Sequence, residues 1–191
     1  MLRVKNINLD TYPIIANFFR GQLEHTSLSV DSIAEEIAQA ALLSSEAILA
    51  EKKLFSCGLA SDCSSAVALA SLLQRGVLRE RPSLPVVELA AHHIDSVEAG
   101  GTWASQQIQA LGQSGDVAIV FASTLSDVDI QRFQTVADDR QVVTIWVGQR
   151  GPGLSISSGD ENVERQLTLN HSIAVCLARL IETFTFGPVE D

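Results

Sequence analysis

Short apolar segments alternate with helical stretches through the middle of this chain, and that alternation leaves very few folds open to it. Asp116-Val117-Ala118-Ile119-Val120-Phe121 is the clearest strand. Leu54-Phe55-Ser56-Cys57-Gly58, Pro85-Val86-Val87-Glu88-Leu89 and Val142-Val143-Thr144-Ile145-Trp146-Val147 have the same character, and Leu154–Ser158 reads as a weaker edge strand. Nearly continuous apolar runs of this length suit strands covered on both faces. Helical patterns fall between them at residues 62–76, 103–112 and 127–138. Strands separated by helices in this way predict an α/β fold with three layers, a five-stranded parallel sheet flanked by helices on both faces.

Helices are also expected at both ends. Two N-terminal helices are predicted over 9–26 and 29–51. In the second, Val30, Ile33, Ile37, Ala41 and Ile48 recur at helical spacing, with Ser29 and Ser32 as a start signal and Lys52-Lys53 at the negative end. A last helix over 161–184 carries the stripe Val163, Leu167, Asn170, Ile173, Leu177, Leu180 and Phe184, a spacing that suits helix–helix packing. The expected organisation is one domain over 1–191. Residues 1–52 form an N-terminal helical extension in an oligomer interface, 53–160 the sheet core, and 161–186 the C-terminal helix.

Composition narrows the function classes. With 46% hydrophobic and 19% charged residues the chain is not disordered. No apolar run approaches the ~18 residues of a membrane span, and MLRVKNINLD has no signal-peptide core, so a cytoplasmic location without membrane contact is expected. A net charge of −10 argues against direct contact with nucleic acid. The mean hydropathy of +0.19 points to apolar surface covered by a second subunit. Cys57, Cys63 and Cys176 follow no metal spacing and read as reduced, buried thiols. His92-His93 lacks a third metal ligand, so neither a metal nor a cofactor is expected.

Ligands of open parallel sheets bind beyond the carboxyl ends of the strands. Here those places are 58–63, 89–101, 122–127 and 148–153. Two of them are rich in hydroxyls: Ser61, Ser64 and Ser65 in one, Ser123, Thr124 and Ser126 in the other. Hydroxyls beside free backbone N–H groups at a helix start can cradle a phosphate. Helix capping explains the same residues: Asp62 is placed to cap the helix that follows, and Ser126 with Asp129 resembles a capping pair. The pattern leaves both readings open.

The segment SCGLASDCSSAVALASLLQRGVLRERPSLPVVEL resembles the first half of a SIS (sugar isomerase) domain of the phosphoheptose isomerase type. QALGQSGDVAIVFASTLSDVDIQ resembles the next block, with Leu111-Gly112 before Gly115-Asp116-Val117 and Arg79–Pro85 especially close. The resemblance covers nearly the whole chain. It implies a flavodoxin-like sheet, a helical bundle between subunits, and a homotetramer or homodimer.

The departures from the family pattern bear on function. Where the family's first loop reads CGNGGS, this chain has Cys57-Gly58-Leu59-Ala60-Ser61-Asp62, so Asp62 falls at an expected phosphate-binding serine. In the second loop, STSGNS in the family, Ser123 and Thr124 match while Leu125 and Val128 replace serines. Two unit charges 4 Å apart repel by about 4 kcal/mol at an effective dielectric near 20. An ionised Asp62 would oppose a sugar phosphate and would also occupy its N–H donors. Isomerases of this type move protons with a glutamate on the first sheet helix and a histidine on the last. By ungapped resemblance those positions are Leu72 and Asn170, with His171 adjacent but turned by about 100°.

A DiaA-type branch of the family associates with the bacterial replication initiator, and the present chain shares its ERPSLP wording and a similar ending. Thr185-Phe186 falls at that branch's Leu-Phe partner contact, which makes Phe186 a candidate for partner binding or for packing. The expected function is therefore a non-catalytic binding or scaffold protein, with ligand-binding candidates Ser61, Asp62, Ser64, Ser123, Thr124 and Ser126. The alternatives are a phosphosugar isomerase of the sedoheptulose 7-phosphate type, with His171, Glu88 or Glu98 as substitute base, or a sensor binding a phosphorylated sugar without turnover.

Overall fold

The computed structural model describes residues 10–90 and 97–189. In chain order the elements are α1 (Tyr12–Leu49), β1 (Leu54–Gly58), α2 (Cys63–Arg75), β2 (Val86–Ala90), α3 (Val97–Leu111), β3 (Val117–Phe121), α4 (Asp127–Asp139), β4 (Val143–Val147), β5 (Leu154–Ile156) and α5 (Val163–Phe186). A single 3₁₀ turn, Ala60–Asp62, joins β1 to α2. The five strands form one sheet in the order β2-β1-β3-β4-β5, and every neighbouring pair is parallel. This is the flavodoxin-like order, whose switch point lies between β1 and β3.

The strands alternate their side chains between two apolar cores. Leu54, Val117, Ile119, Phe121 and Ile145 face α1, α2 and α5. Phe55, Ala118, Val120 and Trp146 face α3 and α4, where Phe133 meets the Trp146 ring edge-on at 5.6 Å between centroids. Both faces of β1 and β3 are fully buried, which accounts for their unbroken apolar runs. A buried carboxylate fixes the near end of this core. Asp116 accepts the Lys53 Nζ at 2.5 Å, the Lys53 N–H at 3.1 Å and the Gln113 N–H at 2.8 Å, tying β1 to the turn before β3.

The N-terminal region departs from the sequence reading. The expected pair of helices is one unbroken helix of 38 residues. Ser29 and Ser32 do not start a helix; their hydroxyls bond back to the carbonyls of His25 and Ser29 within the same helix, at 2.8 Å each. The helix before β3 begins earlier than expected, at Val97. Burial along α1 starts only at Ser29. Before that point Tyr12, Ile14, Ile15, Phe18, Phe19 and Leu23 stand in solvent, Tyr12 and Leu23 at 71% exposure each. Val30, expected on the buried stripe, is half-exposed and lines an apolar groove of about 350 Å³ between α1 and α5, with Ile33, Ile37, Ile173 and Leu180. Cys176 lines the same groove and is exposed, which corrects the expectation of three buried thiols; Cys57 and Cys63 are buried. Among the described residues no helix is long and apolar enough to cross a membrane.

Candidate functional site

In a sheet of this order the crevice for a ligand lies at the switch point, beyond the ends of β1 and β3. Gly58 lets α2 start close to the strand: a Cβ there would lie 2.7 Å from both the Ala66 Cβ and the Cys63 Cα. Asp62 stands at the N-cap position of α2, but its side chain makes no capping bond. It reaches across the crevice instead. Its Oδ2 accepts the Ser123 N–H at 2.7 Å, and its Oδ1 accepts Asn170 Nδ2 of α5 at 2.8 Å. Asn170 Nδ2 also lies 3.2 Å from Ser123 Oγ. Asp62 and Asn170 are 2% and 1% exposed. Among the described residues no Lys, Arg or His forms an ion pair with Asp62.

The backbone makes room for this lock. Gly148, at the end of β4, has φ +94°, and a Cβ on it would clash with the Asn170 amide. Gln149 next to it bonds both backbone groups of Leu125, Oε1 accepting its N–H and Nε2 donating to its C=O, each at 2.7 Å. The loop after β3 is therefore fixed from two sides.

The other hydroxyl candidates separate. Ser126 caps α4: its Oγ accepts the Asp129 N–H at 3.2 Å and donates to Asp129 Oδ2 at 2.6 Å. Ser61 and Ser64 are exposed near the start of α2, and Ser65 is buried with no partner for its hydroxyl among the described residues. Ser123 and Thr124 line a cleft of about 310 Å³ together with Gly148, Arg150, Ser157 and Gln166. Its rim holds Asp160, whose carboxylate accepts the Asn162 N–H at 2.7 Å and lies 3.1 Å from His25 Nδ1 and 3.4 Å from Arg165. The Asn162 N–H is the main cause that holds the Asp160 carboxyl below the ordinary carboxylate value; Arg165 and His25 act the same way against partial desolvation. Nothing in the sequence signals His25, because its partner lies far along the chain.

A second buried carboxylate sits at the other end of α5. Glu182 accepts the N–H groups of Val77, Leu78 and Arg79 at 2.8, 3.0 and 3.1 Å, and Arg81 Nε at 3.0 Å. Burial alone would raise its pKa, but the Val77 and Leu78 N–H donors and Arg81 outweigh that and hold the carboxyl below its ordinary value. The Arg81 guanidinium lies 5.6 Å from the Phe186 ring centroid, and Arg79 donates to the carbonyls of Phe186 and Gly187. Phe186 is thus anchored from below and still 40% exposed.

No family model matches the chain. Phosphoheptose isomerase of Halorhodospira halophila is 24% identical over 200 residues, 94% of this chain and 98% of that protein. DnaA initiator-associating protein DiaA of Edwardsiella ictaluri is 25% identical over 192 residues, 93% and 98% of the two chains. The solved phosphoheptose isomerase of Francisella tularensis superimposes with a TM-score of 0.80 at 20% identity, over 92% of this chain and 100% of that one. The chain is similar in sequence to phosphoheptose isomerase and DiaA proteins and has the fold of the solved phosphoheptose isomerases.

The positions that the resemblance assigns to isomerase proton transfer hold other chemistry. Leu72 is partly buried and packs against the core under α2. Asn170 is the buried amide of the Asp62 lock. His171 is exposed on the next position of α5, and Glu88 is exposed on the edge strand β2. The Glu98 side chain and His92-His93 lie outside the described residues. Among the described residues no group of His, Cys, Asp or Glu gathers to hold a metal ion.

Proposed function

We propose that this protein is a non-catalytic SIS-domain binding and scaffold protein, one domain over 1–191, acting in the cytoplasm. The observation that carries this reading is the state of Leu72 and Asn170. An aldose–ketose interconversion needs groups that give and take protons near working pH. A leucine side chain and a carboxamide already committed to a carboxylate do neither. His171 and Glu88 are both exposed on other elements and offer no replacement at the crevice.

Two surfaces suit a scaffold. The exposed apolar half of α1, continuous with the groove against α5, fits self-association into a dimer or tetramer. Phe186, fixed over Arg81 on a chain of net charge −10, fits capture of a basic partner surface. The similarity to a DnaA initiator-associating protein makes the replication initiator the partner to test. The function does not call on nucleic acid, membrane or cofactor.

The runner-up reading is a phosphosugar isomerase, or a sensor of a phosphorylated sugar, favoured by the isomerase relatives and by the Ser123–Thr124–Arg150 cleft. One pair of assays separates them. Incubation with sedoheptulose 7-phosphate, followed by NMR, is expected to show no turnover; isomerisation would overturn the scaffold reading. Capture of purified initiator on immobilised protein is expected, with Phe186→Ala weakening it about tenfold.

A further inference from the structure

A buried carboxylate ordinarily keeps a cation beside it. Glu182 follows the rule with Arg81, and Asp116 with Lys53. Asp62 is as buried as either, yet its bonds come from a backbone N–H and a side-chain amide, both neutral. Those donors sit on two different elements and converge on one point at the switch-point crevice. Gly148 leaves room for the Asn170 amide, and the Gln149 clamp on Leu125 fixes the loop that carries Ser123. Donors fixed in advance around a single negative group form an anion receptor, and here its occupant is covalently part of the chain.

Resting on the scaffold reading, in which the crevice is not a working isomerase site, we propose that Asp62 is an intramolecular anion that fills this receptor. The native site therefore rejects phosphorylated ligands at that point, and removal of the Asp62 carboxylate uncovers a latent site for a free oxyanion. Ser123 N–H and Asn170 Nδ2 then take the incoming oxygens. Asp62 is the specificity-determining residue at that point, beside the cleft lined by Ser123, Thr124, Arg150 and Ser157.

The test is thermal unfolding of wild type, Asp62→Ala and Asp62→Ser in inorganic phosphate, against sodium chloride of equal ionic strength. Wild type is expected not to respond beyond the chloride control. Both variants are expected to rise by roughly 5 °C once phosphate reaches about 100 times its dissociation constant. Adding Asn170→Leu to Asp62→Ala should remove the response. Equal shifts in wild type and variants, no shift in either variant, or a shift that survives Asn170→Leu would each overturn the proposal. Should Asp62→Ala fail to fold in chloride, its recovery in phosphate alone supports the latent site. Failure in both salts with an unmoved Asp62→Ser overturns it. Turnover of a sugar phosphate by wild type would defeat the scaffold reading by a separate readout.

Discussion

Helix α5 carries two buried polar locks, about 18 Å apart at 1.5 Å per residue, and they are built on opposite principles. At Glu182 the carboxylate belongs to α5 and the donors belong to the turn after α2: three backbone N–H groups and a guanidinium. At Asn170 the amide belongs to α5 and the carboxylate comes from the turn before α2. Both locks tie α5 to an end of α2. The first neutralises its charge and serves packing. The second leaves the charge of Asp62 to neutral donors beside the cleft that Ser123 lines, an arrangement suited to recognition. Burial and hydrogen bonding alone do not distinguish structural from site carboxylates; the charge of the partner does.

Breaking the Glu182 lock should have the largest effect. Glu182→Ala strands three N–H groups and a buried guanidinium and is expected to cost about 3–5 kcal/mol, a fall of about 10 °C in the unfolding midpoint. The same lock sets an acid limit. Its folded carboxyl titrates below the ordinary value of 4.5, so the unfolded chain takes up the proton first as pH falls. The stabilisation is complete above about pH 4.5 and is lost as pH drops through the folded pKa. Glu182→Gln should flatten the midpoint-against-pH curve over that acid range; an unchanged curve would assign the loss to other groups.

The Asp62 lock should respond less. Asn170→Leu leaves one Asp62 oxygen without its donor and is expected to cost about 1–3 kcal/mol, measured by urea unfolding. A loss matching that of Glu182→Ala would erase the distinction between the two locks. Smallest is Ser126→Ala, which removes the cap of α4 at about 1 kcal/mol and should leave the anion response of the Asp62 variants intact. Loss of that response would place Ser126 in the receptor as well.

The sheet was legible because its evidence is local. Runs such as Val117–Phe121 and the helices between them announce themselves within ten residues, and the strands fall within a residue or two of expectation. The expected break in α1 failed because Ser29 and Ser32 have two uses for a hydroxyl, and a sequence window does not distinguish a cap from a bond back to the preceding turn. The site was legible in its membership and not in its wiring. Asp62, Ser123 and Asn170 were all singled out, but the two bonds that define the lock span 61 and 108 positions. Capping was one of two readings open at both hydroxyl-rich loops; it occurs at Ser126, where the partner is three residues away, and not at Asp62. Glu182 and Arg81, 101 positions apart, gave no local sign of each other.

The unbroken α1 has a consequence for how the chain breathes. Its first turns bury no face that would stabilise them in water, and they persist as an extension of the anchored turns from Ser29 onward. A single helix thus contains a gradient of opening free energies, lowest at Tyr12 and highest against α5. Amide hydrogen exchange should record it as protection rising from residue 12 to the buried turns at residues 40–45. Where a second copy covers the exposed phenylalanines and leucines, the gradient should flatten with protein concentration, so that the exchange rate at one end of one helix reports the state of assembly.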